Sequence, residues 1–130
     1  TKRTKRTKMK IKTEELIGAA LNWAVTKARG IKADPAAWLT VYRLDSMYDF
    51  STDWAAGGPL HEECIAAGML IERVDPDYLN LPKFKATLER WESVYRGDTL
   101  LVTTCRCYVA HKLGTEVDVP DEVIEQPVSA

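Results

Sequence analysis

Within this chain of 130 residues, Ser51-Thr52-Asp53-Trp54-Ala55-Ala56-Gly57-Gly58-Pro59 gathers the most chemistry into the shortest space. It offers two hydroxyls, a carboxylate, an indole and a glycine pair whose backbone N–H groups a ligand can approach closely. A small anionic ligand containing a base would need such parts, with donors for a phosphate and Trp54 as a stacking plane. Arg106 would add a bidentate charge if it faced the same pocket. The candidate ligand-binding residues are therefore Ser51, Thr52, Asp53, Trp54, Gly57, Gly58 and Arg106, with Trp23 as a second aromatic platform. The plainer alternative is that Asp53 caps a turn, Trp54 and Trp23 pack in the core and Arg106 pairs with a carboxylate. No phosphate-loop signature such as GxxxxGK[ST] is present.

Metal and acid–base chemistry have weaker support. His61 with Cys64, and Cys107 with His111, have spacings that put both members on one helical face, and four such ligands would suit zinc. No CxxC pair accompanies them, so neither a metal nor a cofactor is expected. His61, Glu62 and Glu63 are adjacent, and adjacent helical residues point in different directions, so the trio cannot serve one catalytic centre. The reading leans away from an enzyme.

Composition bounds the rest. A content of 45% hydrophobic and 28% charged residues is ordinary for a folded domain, and the length suits a single core. Three cysteines, two of them separated by one residue, fit free thiols better than a disulfide framework. The net charge of −1 hides seven Lys/Arg within residues 1–12, which leaves 11 basic against 19 acidic residues in the remainder. Residues 1–8 read as a disordered basic tail, or as residues upstream of a start at Met9. The acidic body would repel phosphate backbones, so nucleic acid is not the expected partner. No apolar run is long enough to span a bilayer, and a cytoplasmic location is expected.

The elements that must position these residues read as an α+β domain. Two main helices, about 14–29 and 99–113, are expected to pack on a small antiparallel sheet, with a long ordered loop. Thr13 would cap the first helix and Gly30 would end it; Asp98 or Thr99 would cap the second and Gly114 would end it. Between them lie a short helix at 35–39, a helical turn from Pro59 to about Ala67, a strand at 69–74, a turn at Asp75-Pro76-Asp77 and a strand at 86–95. The domain is expected over 9–120, with residues 121–130 an acidic flexible tail.

Three blocks resemble the NinX-like family of small proteins encoded by tailed bacteriophages of enteric bacteria. They are Lys12-Thr13-Glu14-Glu15-Leu16-Ile17-Gly18-Ala19-Ala20-Leu21-Asn22-Trp23-Ala24-Val25, the Ser51–Pro59 stretch and Arg106-Cys107-Tyr108-Val109-Ala110-His111-Lys112-Leu113-Gly114. Segments 31–50 and 74–97 match less well. The resemblance implies a phage accessory protein in the host cytoplasm and brings no established catalytic residues. Two roles follow as expectations. One is a non-catalytic protein that sequesters a small nucleotide-type signal of host defence. The alternative is an interaction module that docks on a host or phage protein through aromatics such as Trp38, Tyr42 and Tyr48. The abundance of aromatics in irregular segments also leads us to expect a homo-oligomer.

Overall fold

A computed structural model describes residues 8–74, 83–87 and 94–124. The order is β1 (Lys8–Lys12), α1 (Gly18–Ala28), α2 (Pro35–Leu44), α3 (Trp54–Ala66), β2 (Leu70–Arg73), β3 (Phe84–Thr87), β4 (Tyr95–Gly97), α4 (Leu100–Leu113), β5 (Glu116–Pro120) and α5 (Asp121–Ile124), with 3-10 turns at Thr13–Glu15 and Ser46–Tyr48. Five helices with antiparallel sheets of two and three strands make this a small α+β fold. Among the described residues no helix is long and apolar enough to cross a membrane.

α4 is the axle of the fold. Thr99 caps it, its hydroxyl accepting from the Val102 N–H at 3.1 Å, and Gly114 leaves it at φ +97°, a conformation that costs a glycine little. Eight of its residues are buried, because α1 and α3 pack against it and β3 and β4 cover another side. β2, β3 and β4 run antiparallel with Ile71, Ala86 and Tyr95 in one row, and Ala86 and Tyr95 are buried. The separate β1–β5 ribbon pairs Lys8 with Pro120 and Lys12 with Glu116, and turns Val117 and Val119 inward.

Several sequence expectations need correction. The first helix starts at Gly18, not at residue 14, because Thr13 is used elsewhere: its hydroxyl donates to the Gly114 carbonyl at 2.7 Å and its N–H to the Thr115 carbonyl at 2.8 Å. The 35–39 helix continues to Leu44, started by Pro35 and by Asp34, whose carboxylate accepts from the N–H groups of Ala36 and Ala37. The rest of the supposed loop is largely helical, since α3 begins at Trp54, five residues before Pro59. The expected 86–95 strand is two strands, β3 and β4, with 88–93 outside the described residues. The tail expected from residue 121 first forms α5, in which Val123 is fully buried. The turn at Asp75-Pro76-Asp77 and residues 1–7 of the basic tail lie outside the described residues.

The aromatics of 31–60 make one core cluster. Trp38 lies between Tyr42 (centroids 4.7 Å, planes 11° apart) and Tyr48 (5.6 Å, 17°), and meets Trp23 edge-on at 5.4 Å. Its indole N–H donates to the Thr26 hydroxyl at 3.0 Å. Trp38 is buried and Tyr42 and Tyr48 are partly buried against the core, so Trp38 presents no docking surface.

Candidate functional site

Within the Ser51–Pro59 segment, Ser51 and Thr52 lie in a turn and α3 begins at Trp54. Asp53 is the cap of α3: its carboxylate accepts from the Ala55 N–H at 2.9 Å and its carbonyl from the N–H groups of Ala56 and Gly57. Ser51 is buried, with its N–H donating to Asn22 Oδ1 at 3.0 Å, while the Asn22 amide donates to the Tyr42 hydroxyl at 3.2 Å. Gly57 is required by close packing, since a Cβ there would collide with the Phe50 carbonyl oxygen and stand 2.9 Å from Leu101 Cδ2. Gly58 has ordinary room, 3.6 Å from the Trp54 ring. Thr52 is exposed and Trp54 is 52% exposed, edge-on to His61 at 5.8 Å.

Arg106 does not join them. Its Nε donates to the Leu16 carbonyl at 2.8 Å and a terminal nitrogen to the Arg96 carbonyl at 2.7 Å. Burial lowers its pKa, with Asp98 and Glu14 acting in the opposite direction. Two residues earlier on α4, the Thr104 hydroxyl lies 2.9 Å from Nδ1 of His61, the ring that Trp54 abuts. Positions two apart on a helix are separated by about 200°, so Thr104 faces the Trp54 side and Arg106 faces away from it. The expected forked contact to a phosphate is replaced by a clamp on two backbone carbonyls.

The thiols and acids disperse likewise. Cys64, Cys105 and Cys107 are all buried; burial, with a smaller push from Glu63, raises Cys64 to about 11, and burial raises Cys107 to about 12 and Cys105 still further upward. They stay protonated at neutral pH, the opposite of what a nucleophile needs. Glu63 is paired with Arg29 at 2.9 Å while His61 meets Thr104, so these neighbours look in different directions. Among the described residues no group of three or more His, Cys, Asp and Glu is placed to hold a metal ion.

Trp23, the second aromatic platform read from the sequence, lies beside a real concavity. It lines a cleft of about 370 Å³ together with Lys27 from α1, Leu113 from the end of α4, Lys8 from β1, and Glu116 and Asp118 from β5. Trp23 is 4% exposed, and its indole N–H is buried with no acceptor among the described residues. Lys27 Nζ stands 6.0 Å from the centre of its ring. Asp118 is engaged by Lys8 at 3.7 Å and Lys10 at 3.5 Å. Neither Lys27 nor Glu116 forms an ion pair among the described residues. Sequence reasoning missed Lys8, Lys27, Glu116 and Asp118 because they come from segments far apart in the chain. The available signal was the alternation of Lys8, Lys10 and Lys12 against Glu116 and Asp118, the pattern of one face of a paired ribbon.

No family model matches the chain, and neither a curated protein nor a solved structure matches it.

Proposed function

We propose that the chain is a non-catalytic small-ligand-binding protein that uses the Trp23 cleft, and that it serves as a phage accessory protein of the NinX-like kind. The observation that carries the binding reading is the concave lining that Trp23 shares with Lys27, Leu113, Glu116 and Asp118. The cleft volume, about 370 Å³, lies at the lower end of the range for small-molecule sites. Sequestration of a host signal, the role suggested by the sequence resemblance, needs binding alone. A nucleotide ligand draws no support from Arg106, whose guanidinium is engaged with two backbone carbonyls, or from Asp53, which caps α3.

The test is native mass spectrometry of protein purified from a bacterial host, followed by identification of small molecules in its acid extract. One small molecule per chain, lost on Trp23→Phe, is the expected result. The apo mass alone, with no metabolite fraction shifting the Trp23 indole resonance, overturns the reading. Trp54, half exposed at the start of α3, favours the interaction-module alternative; recovery of one stoichiometric protein partner that depends on Trp54 would support it.

A further inference from the structure

We propose that the outer face of α3, from Trp54 to Ile65, is a docking surface for a basic segment of a partner protein, one that carries apolar side chains together with Lys or Arg. The surface is separate from the Trp23 cleft, and the inference rests on Trp54 as an interaction residue and not on that cleft as a ligand site.

The exposed side of the helix is unusually apolar. Gly57, Leu60 and Cys64 form its buried side, against α4 and the Phe50 carbonyl. With successive residues about 100° apart, the positions facing away from them are Ala55, Pro59, Glu62 and Ala66, all exposed, and Trp54 and Ile65 at their edge are 52% and 45% exposed. A helix at the surface of a folded domain ordinarily turns charged and polar residues to water, whereas here Glu62 is the one charge of the six. Trp54 is also held in place. A Cβ added at Gly58 would stand 3.6 Å from Cε3 of Trp54, and the indole meets the His61 ring edge-on at 5.8 Å, while the Thr104 hydroxyl lies 2.9 Å from Nδ1 of that ring. An indole already positioned by its own helix gives up little rotamer freedom on binding.

Charge selects the partner. From Leu44 to Ala67 the chain carries five carboxylates, Asp45, Asp49, Asp53, Glu62 and Glu63, and no Lys or Arg. Of these, Glu63 lies off the outer face, paired with Arg29 at 2.9 Å. Asp49 and Asp53 meet at the end of the helix that bears Trp54: the Asp53 N–H donates to the Asp49 carbonyl at 2.9 Å, and burial, with the Asp53 charge as the smaller cause, raises the pKa of Asp49. A second copy would bring the same acids to this face, and nucleic acid or an anionic membrane would bring phosphates, so all three are disfavoured. A basic segment is attracted. Its ammonium or guanidinium groups fit the carboxylates and the exposed indole face, which favours a cation, and its apolar side chains fit Ala55, Pro59 and Ile65.

The experiment titrates the ¹⁵N-labelled full chain with a synthetic amphipathic helical peptide of leucine and lysine, and with a peptide of the same pattern in which glutamate replaces lysine. The readout is the Trp54 indole resonance, assigned by its loss in Trp54→Phe. The lysine peptide should shift that resonance, leave the Trp23 indole resonance in place and bind more weakly as salt is raised, whereas the glutamate peptide should move neither resonance. Trp54→Ala and Glu62→Lys should each weaken binding roughly tenfold, and an unchanged spectrum elsewhere would show that the fold is kept. Glu15→Lys, the same charge change at an exposed position ahead of α1, should weaken it far less. Equal binding of the two peptides, or equal losses in Glu62→Lys and Glu15→Lys, would show general adhesion and overturn the site. So would a Trp54 resonance that neither peptide moves. If the unliganded chain self-associates in sedimentation and Trp54→Ala abolishes this, the occupant is a second copy; if the lysine peptide binds only after residues 1–7 are removed, it is the chain's own basic segment. Either result overturns the partner assignment.

Discussion

Arg106 and Leu16, ninety positions apart in sequence, are joined by a 2.8 Å hydrogen bond from the guanidinium Nε to the Leu16 carbonyl. A second bond from the same side chain reaches the Arg96 carbonyl in β4, so one residue of α4 holds both the segment preceding α1 and the adjacent strand. Hydrogen bonds to charged groups contribute about 1.5–3 kcal/mol each, less where water competes. Arg106→Met should therefore lower unfolding stability by about 1.5–3 kcal/mol in denaturant melts, with ligand affinity unchanged. A stable, binding-deficient Arg106→Met protein would return Arg106 to the ligand site.

The two adjacent glycines should behave in opposite ways. Gly57→Ala drives a methyl into the Phe50 carbonyl and should destabilise by at least about 1–3 kcal/mol. Gly58→Ala meets only ordinary contact with Trp54 and should stabilise α3 by up to about 1 kcal/mol. Thermal melts of both variants decide this. Equal effects would mean that α3 does not approach Phe50 as described.

Trp54 and Trp38 form another contrasting pair. Trp38→Ala removes a buried ring held between two tyrosines and should cost about 3–5 kcal/mol. Trp54→Ala, at a half-exposed ring, should cost well below that range and leave cleft binding intact. Comparable destabilisation by the two would place Trp54 in the core after all.

The thiols predict an alkaline limit to stability. In the unfolded chain they ionise near their ordinary value of 9.0, whereas burial holds Cys64 at about 11 and Cys107 at about 12 in the fold. Between these values the unfolded state has lost protons that the folded state keeps, so stability falls with rising pH; below about 9 the contribution is fully present. The melting temperature should decline above pH 9, and less steeply in Cys107→Ala than in wild type. Identical slopes would show that Cys107 is not responsible. Native protein at pH 8 should react with thiol reagents only after denaturant is added.

What the sequence disclosed, and what it hid, follows a physical division. α4 was legible almost to the residue because its signals are local: Thr99 before an apolar run, Lys112 in the last turn, Gly114 after it. The start of α1 was not, because Thr13 is a good cap whose hydroxyl is claimed by Gly114 from 101 positions away. The second half of α2 and the start of α3 read as loop for related reasons. Aromatics that obscure a helical period in sequence stack on one another in space, and a Gly–Gly pair that resembles a turn is the means by which a helix approaches a carbonyl. Of the candidate site residues, Trp23 lies at a cleft, whereas Ser51, Asp53, Gly57 and Arg106 have structural work that depends on distant partners.

The pairing of β1 with β5 sets an order of events during folding. Lys8 must find Pro120, and Lys12 must find Glu116, so the ribbon closes a loop of about a hundred residues. The entropy of such a closure grows as about (3/2)RT ln n, and contacts between residues far apart in sequence form late unless intervening structure shortens the search. The hydrophobic assembly of α1, α3 and α4 provides that shortening, which makes the ribbon the closing step. Lys8, Glu116 and Asp118 reach their places in the cleft only at this step. During synthesis the chain would acquire its binding capacity only once β5 is available to pair, and a bound ligand would then act as a latch on the last joint to close.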